Sequence, residues 1–298
     1  MNVIEVSHLT KDYGHQKGIF DVSFSISQGE TVGFLGPNGS GKTTTLRHLV
    51  GFIRSHQGYA HIQGMDCFLE SQKIQENLSY LPGEIAFMDE MTGLEFIYFI
   101  ADMKNIKKKD KIQQLIDFLE FDPRGKIKRM SKGMKQKIGL VITFMSDADV
   151  LILDEPTSGL DPLMQNKFVE LIKHAKQEGK TILMSSHIFE EVENTCDRVI
   201  MIKDGHIIAQ KDMSELKNNR RKHFEITFED IQTASLFQAK YPQSVQEDCQ
   251  VTLIVQGSIE SLLKELSQYH IIDMNVRSQS LEELFLHYYG GDIKCQSL

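Results

Sequence analysis

A glycine-rich segment that ends in a lysine and a threonine is the strongest chemical signal in this sequence. Residues 36–43, Gly-Pro-Asn-Gly-Ser-Gly-Lys-Thr, match the pattern G-x-x-x-x-G-K-[ST] in full. Glycines let the backbone wrap closely around phosphate oxygens, so that amide N–H groups and the dipole of the following helix point at them. Lys42 is expected to reach the terminal phosphates of a nucleoside triphosphate, and the Thr43 hydroxyl to hold Mg²⁺. The predicted nucleotide-binding residues of this segment are Asn38, Gly39, Ser40, Gly41, Lys42, Thr43 and Thr44.

Two adjacent acids follow the apolar run at residues 150–153. Asp154 is placed to bind Mg²⁺, and Glu155 to polarise an attacking water as a general base. In isolation such a pair would be an ordinary strand end with solvated acids. The phosphate-binding segment upstream, and Pro156, which turns the chain out of the strand, favour the catalytic interpretation.

A third segment, residues 130–136 (Met-Ser-Lys-Gly-Met-Lys-Gln), begins a predicted helix. Ser131 is suited to be its N-cap, and the free amides at the helix start, including that of Gly133, would form a second anion site. Taken by itself, this segment would be better interpreted as a capped helix on the protein surface.

Composition excludes several classes of protein. The formal net charge of −8 lacks the overall footprint of a nucleic-acid-binding chain. The four cysteines are widely scattered, which favours a reducing cytosol. The first residues do not predict a secretory signal, and no apolar run approaches the ~20 residues that a membrane helix needs. We therefore expect a cytoplasmic chain, and another chain must cross the bilayer if this protein works at a membrane.

The elements that must position these residues form an α/β pattern. Short apolar strands alternate with helical periods, and a predominantly helical segment at about 89–145 interrupts them. After the charged linker at 217–222, the predicted order is β-α-β-β-α-β, typical of a ferredoxin-like α+β unit, with a last helix at 280–287. We predict an α/β domain at 1–218 and a small accessory α+β domain at 223–298.

Residues 2–216 resemble the ATP-binding subunits of ABC transporters, both in the motifs and in their order. Segment 130–136 stands where that family has its Leu-Ser-Gly-Gly-Gln signature, and residues 158–161 (Ser-Gly-Leu-Asp) match its D-loop. His187 matches the switch histidine that contacts the γ-phosphate, and Tyr13 the aromatic residue on which adenine stacks. The resemblance implies a P-loop NTPase core of the ABC type that binds ATP and Mg²⁺. It also implies a dimer in which the signature of one subunit, with Ser131 and Gly133, closes on the ATP of another.

The sequence departs from the family pattern at two places. Lys132 replaces a glycine of the signature and Met134 replaces its glutamine, although backbone amides can still bind phosphate. Gly83 stands where most members have a glutamine that binds Mg²⁺, and the neighbouring Glu84 is a candidate to take over that role. These departures, with Ser-Leu-Glu-Glu-Leu-Phe at 280–285, resemble the bacterial exporter branch that includes bacitracin- and lantibiotic-resistance ATPases.

The function that the resemblance implies is ATP hydrolysis that powers export through separate integral-membrane permease subunits. The expected location is the inner face of the cell membrane, and the expected second ATP-binding subunit is another copy or a related chain. One alternative is a soluble ABC ATPase of the repair or translation class, but the sequence has neither a long heptad run nor two cassettes. The other is a regulatory cassette that binds ATP without hydrolysis. The presence of Lys42, Asp154, Glu155 and His187 argues against it.

Overall fold

A computed structural model describes residues 1–107, 109–218, 221–256, 259–280 and 282–283. The chain divides into two compact units, Met1–Lys211 and Asp212–Leu298. This division lies before the charged segment at 217–222, which the sequence pattern predicts as the linker. Each unit has a hydrophobic core of its own.

The first unit contains most of the strands and the longer helices. In chain order its elements are β1 (Asn2–Asp12), β2 (Gly18–Ser27), β3 (Thr31–Leu35), α1 (Lys42–Leu49), β4 (Gln57–Ile62), β5 (Met65–Asp66), α2 (Ser71–Glu76), β6 (Leu78–Leu81), α3 (Gly93–Met103), α4 (Asp110–Phe118), α5 (Lys132–Phe144), β7 (Val150–Asp154), α6 (Pro162–Gln177), β8 (Thr181–Ser186), α7 (Phe189–Thr195), β9 (Arg198–Lys203) and β10 (His206–Asp212).

A six-stranded sheet in the order β10-β9-β3-β8-β7-β6 forms the centre of this unit. Within it, the five strands β9, β3, β8, β7 and β6 are parallel to one another. Strands β3, β7 and β8 are buried at every position, as their continuous apolar composition predicts for strands covered on both faces. Parallel strands end at one edge of the sheet, so the segments that follow β3, β7 and β8 meet there. The predicted α/β core is confirmed.

A second sheet in this unit is antiparallel, in the order β2-β1-β4-β5. Strand β2 leads through a short turn into β3, which ends where the glycine-rich segment begins. Gly41 has a left-handed backbone (φ 110°), and a Cβ there would lie 2.6 Å from the Cγ2 of Ile19. Only glycine therefore fits at the start of α1.

The segment at 89–145 is helical, as the sequence predicts. Helix α3 begins with a capping box: the Thr92 amide donates to Glu95 Oε2 at 2.7 Å, and the Glu95 amide donates to Thr92 Oγ1 at 3.2 Å. Helices α3 and α4 pack against α5. Across the described ranges of the chain, no helix has the length and apolar character needed to cross a bilayer.

The second unit contains α8 (Met213–Asn218), β11 (Arg221–Phe228), α9 (Ile231–Lys240), β12 (Val245–Glu247), β13 (Gln250–Gln256), α10 (Glu260–Leu266) and β14 (Ile271–Ser278). From β11 onward this is the predicted β-α-β-β-α-β order. The sheet runs β12-β13-β11-β14 with antiparallel neighbours, which confirms the ferredoxin-like topology. Phe224, Phe228 and Phe237 form its core. The predicted helix at 280–287 lies outside the described residues, apart from positions 280, 282 and 283.

Candidate functional site

Lys42 lies at the first position of α1 with its ammonium group turned into the glycine-rich segment. Its side chain is 5% exposed, and Nζ donates to the carbonyl oxygens of Gly36 at 2.7 Å and Pro37 at 3.2 Å. Burial lowers the pKa of Lys42, while the negative charges of Glu155 and Asp154 oppose this shift. The two groups that accept hydrogen bonds from Nζ are neutral carbonyls. A charged phosphate oxygen would therefore be a stronger acceptor for the same ammonium group.

The rest of the segment fits a chain of phosphates. Ser40 is buried, and its Oγ has no hydrogen-bond partner among the residues that the structure describes. Gly39 has a left-handed backbone (φ 80°), and no atom lies within 4 Å of where its Cβ would be. Asn38 and Gly39 are exposed, and Thr43 and Thr44 are half-buried in the first turn of α1. An unpartnered hydroxyl beside open backbone at a helix start is suited to bind an anion.

Asp154 ends strand β7 and is only 1% exposed. The Ser185 hydroxyl, on the neighbouring strand β8, donates to Asp154 Oδ1 at 2.5 Å and accepts from the Glu155 amide at 3.0 Å. Ser185 therefore fixes both acids. Ser185 is not among the residues predicted from the sequence, although a polar residue inside an otherwise apolar strand was the available signal.

The position expected to carry a metal-binding glutamine also lies beside Asp154. A Cβ at Gly83 would be 3.4 Å from Asp154 Oδ2, so the backbone of Gly83 passes close to the acid. Glu84, the next residue, is exposed. Burial, with the charge of Asp154, raises the pKa of Tyr80 to about 12. No cluster of three or more His, Cys, Asp and Glu side chains within the described ranges is arranged to hold a metal ion.

Glu155 lies between two basic side chains. Its Oε1 is 3.8 Å from Lys42 Nζ, and its Oε2 is 3.6 Å from Nδ1 of His187, which follows strand β8. The Glu155 backbone is left-handed (φ 46°), which is uncommon for a residue with a side chain and is held here by its amide's hydrogen bonds to Ser185. Glu155 is 28% exposed and His187 53% exposed, so a small molecule can reach both. The structure thus brings Lys42, Glu155 and His187 together.

The start of α5 is built differently. The Ser131 hydroxyl accepts from the Met134 amide at 3.2 Å, which makes Ser131 the N-cap as predicted. A Cβ at Gly133 would be 2.7 Å from the carbonyl oxygen of Gly159, so these two backbones touch. Within the described residues, no hydrogen bond joins Ser131 or Gly133 to residues 36–43. The signature segment therefore packs on the loop after Glu155 and not on the glycine-rich segment.

Two side chains strengthen that contact. Lys132 Nζ donates to the Ser158 hydroxyl at 2.7 Å. Gln136 is buried, and its Nε2 donates to the carbonyl of Pro156 at 2.7 Å. Neither role was visible in the sequence, because each joins segments that are far apart in the chain.

Tyr13 lies in the turn between β1 and β2. Its ring is 55% exposed, with the Lys11 ammonium 5.8 Å from the ring centroid, and its amide donates to the Lys17 carbonyl at 2.8 Å. The exposed ring is free to stack on a planar base, as the resemblance implies.

Comparison with known proteins agrees with this geometry. The sequence profile described as "ABC transporter" matches residues 19–158. The bacitracin transport ATP-binding protein of Bacillus licheniformis is 30% identical, over 97% of this chain and 98% of its own length. The linearmycin resistance ATP-binding protein of Bacillus subtilis is 28% identical, over 98% of this chain and 100% of its own length.

Solved structures show the same fold. An ATP-binding subunit of an ABC transporter superposes with a TM-score of 0.65 at 28% identity, covering 72% of this chain and 92% of that one. A dimeric ATP-binding cassette solved in a post-hydrolysis state with ADP and Pi gives a TM-score of 0.64 at 21% identity, covering 70% and 98%. At that identity the second likeness speaks for the fold alone.

Proposed function

The chain belongs to the ATP-binding subunits of ABC transporters, a family of ATP hydrolases, and we propose that it uses Glu155 to power an export complex. The observation that carries the proposal is the meeting of Lys42, Glu155 and His187 at the carboxyl edge of the central sheet. There an ammonium group, a carboxylate and an imidazole surround one accessible point, as in-line attack of water on a phosphate requires.

Each residue then has a distinct task. Lys42 leaves its carbonyl partners and binds the terminal phosphates, and the Ser40 hydroxyl and the amides of the segment bind the others. Glu155 accepts the proton of the attacking water, and His187 contacts the γ-phosphate and holds the transferred group in line. Tyr13 stacks on adenine. Thr43 and Asp154 would hold Mg²⁺, which when bound neutralises phosphate charge; Glu84 is a further proposed ligand.

The signature residues act on a second ATP-binding subunit. Ser131 caps α5 and Gly133 contacts the loop after Glu155 in its own chain, so in this proposal neither residue binds a phosphate of its own subunit. We place the ATP bound by one subunit against the signature of the other, so that binding of ATP favours the closed pair. Hydrolysis through Glu155 reopens it.

Transport requires a membrane partner. Separate integral-membrane permease subunits would receive the movement of the helical segment at 89–145, with this chain at the inner, cytoplasmic face of the membrane. Export is supported by the names of two relatives, one in bacitracin transport and one in linearmycin resistance. Nucleic acid has no part in the proposal.

The catalytic proposal is tested with purified full-length chain and its Glu155→Gln variant. ATP hydrolysis by the wild type is expected, and the variant should lose on the order of 100-fold or more of it while binding ATP with unchanged affinity. Its ATP-bound form should also remain a dimer in sedimentation. A variant that hydrolyses ATP at the wild-type rate would remove Glu155 as the base, and a wild type without hydrolysis would favour the regulatory alternative.

Export is tested in cells that lack the gene. Cells complemented with the wild type should tolerate at least one compound of a panel that includes bacitracin and linearmycin. Cells complemented with Glu155→Gln should be as sensitive as the deletion strain. Equal tolerance in all three strains to every compound of the panel would count against export of this class of compound.

A further inference from the structure

Glu191 is a buried acid that the catalytic proposal leaves without a task. It lies in the first turn of α7 and is 6% exposed. Its Oε2 is 2.5 Å from the Ser186 hydroxyl at the end of strand β8. The other carboxyl oxygen, Oε1, has no hydrogen-bond partner among the described residues.

Ser186 extends this contact to the turn that carries His187. The Ser186 Oγ accepts from the amide of Ile188 at 2.9 Å. These two hydrogen bonds therefore fix the residues on either side of His187 in the chain, and neither bond involves the His187 ring. Because the His187 ring lies exposed in a tight turn, its direction depends on how that turn is held.

The electrostatic surroundings of Glu191 link it to the same site. Burial raises the pKa of Glu191 to about 7, and the charge of Glu155 adds to the rise, whereas the hydroxyls of Ser186 and Thr157 oppose it. A buried carboxyl is less costly when neutral, because burial penalises the charged form. A neutral carboxyl can donate to Ser186, which keeps the turn fixed without adding a second negative charge near Glu155.

We propose that Glu191 is a positioning residue for ATP hydrolysis, which through Ser186 fixes the turn that holds His187 beside Glu155. This inference rests on the roles proposed above for Glu155 and His187. It differs from a purely structural role, in which Glu191 would stabilise the start of α7 and leave the chemical step unchanged.

The test measures kcat, KM for ATP and thermal stability of the full-length chain. Glu191→Ala should lower kcat roughly tenfold or more with KM within about twofold, since the groups that bind ATP are untouched. Glu191→Gln should stay within about threefold of wild type, because its amide can still donate to Ser186. The exposed neighbour provides the matched control, and Glu190→Gln should behave as wild type.

A double-mutant cycle separates positioning from stability. If Glu191 acts through His187, Glu191→Ala should cause no further loss of kcat in a His187→Ala background. Should Glu191→Ala fail to fold, Ser186→Ala removes the same link and is expected to lower kcat with the same loss of additivity. A wild-type kcat in Glu191→Ala would overturn the inference, and so would a wild-type kcat in Ser186→Ala if that variant has to be used instead. The inference would also fail if the losses of kcat in that variant and in His187→Ala were fully additive in the double mutant. Failure of the underlying catalytic proposal would instead appear as normal hydrolysis by Glu155→Gln.

Discussion

The candidate site has a glycine-rich half, formed by residues 36–43 with Asp154 and Glu155, and a signature half, formed by residues 130–136. The two halves differ in how the protein holds them. In the first, Lys42 and Asp154 are almost fully buried, and every charged group has a partner from its own chain. In the second, Ser131 and Lys132 are exposed at the start of α5, and Lys132 and Gly133 contact the loop at 158–159. Buried charges are costly unless paired, so the first half is preorganised by the fold. The second half offers helix-start amides on a surface, and in our proposal a second subunit closes against them.

This difference makes a general expectation about variants. Changes in the glycine-rich half should reduce ATP binding itself. Changes in the signature half should leave ATP binding nearly intact and reduce hydrolysis, because the proposed mechanism hydrolyses ATP only in the closed pair of subunits.

The largest effect is expected from Lys42→Ala. ATP affinity should fall roughly 100-fold, within the range for loss of one member of a buried charge pair, because the phosphates lose the ammonium group. Titration with a fluorescent ATP analogue measures this, and Lys73→Ala, an exposed lysine in α2, is the control. If Lys42→Ala bound the ATP analogue with an affinity within twofold of wild type, the proposed difference between the two halves would be wrong.

Gly133→Ala tests whether the backbone at the start of α5 is needed for hydrolysis. The added Cβ would lie 2.7 Å from the Gly159 carbonyl oxygen and must displace it. Hydrolysis should fall roughly tenfold, while the affinity of the same analogue stays within about twofold. Gly125→Ala is the matched control, since its Cβ would meet nothing closer than 3.8 Å. Equal loss in both glycine variants would assign the effect to general instability.

A pH-dependent effect on stability is expected at Glu191. Its pKa in the folded state is about 7, above the unfolded value, so the folded chain holds a proton that the unfolded chain releases. The contribution of Glu191 to the free energy of unfolding is therefore fully present at pH values below the unfolded pKa. It is lost as the pH rises through about 7. Relative to wild type, Glu191→Gln should gain about 2 kcal/mol of unfolding free energy between about pH 5.5 and 8.5. Denaturant titrations at both values measure it, and Glu190→Gln should show no such gain.

The smallest effect is expected from Lys132→Ala. It removes one exposed hydrogen bond to Ser158 and leaves the amides of α5 in place. Unfolding free energy should change by about 1 kcal/mol or less, and kcat by less than about threefold. A loss as large as that of Gly133→Ala would mean that the side chain, and not the backbone, is what this half contributes.

The sequence was sufficient to predict the parts of this site that are local in the chain. Residues 36–43 follow a buried strand and open a helix, and Asp154 ends a continuous apolar run, so pattern and position agree. Ser185, Gln136 and Glu191 escaped prediction, because each matters through a contact with a distant segment. The left-handed backbone of Glu155 likewise follows from two tertiary hydrogen bonds.

The C-terminal unit shows the same limit. Its order of strands and helices was predicted from the sequence, and the sheet confirms it. The two units separate between Lys211 and Asp212, so α8 lies in the second unit, whereas the sequence pattern placed residues up to 218 in the first domain. A charged run such as 217–222 marks a surface segment, but it does not fix which unit the preceding helix joins.

The most direct test of the two-chain site mixes two defective copies. Lys42→Ala damages only the glycine-rich half and Gly133→Ala only the signature half, and each variant alone should hydrolyse ATP poorly. In a mixed dimer, one site would combine the intact signature of the Lys42→Ala copy with the intact glycine-rich half of the Gly133→Ala copy. We predict that mixing the purified variants restores ATP hydrolysis well above the sum of the separate rates. A mixture no more active than that sum would contradict a site shared between two copies of this chain.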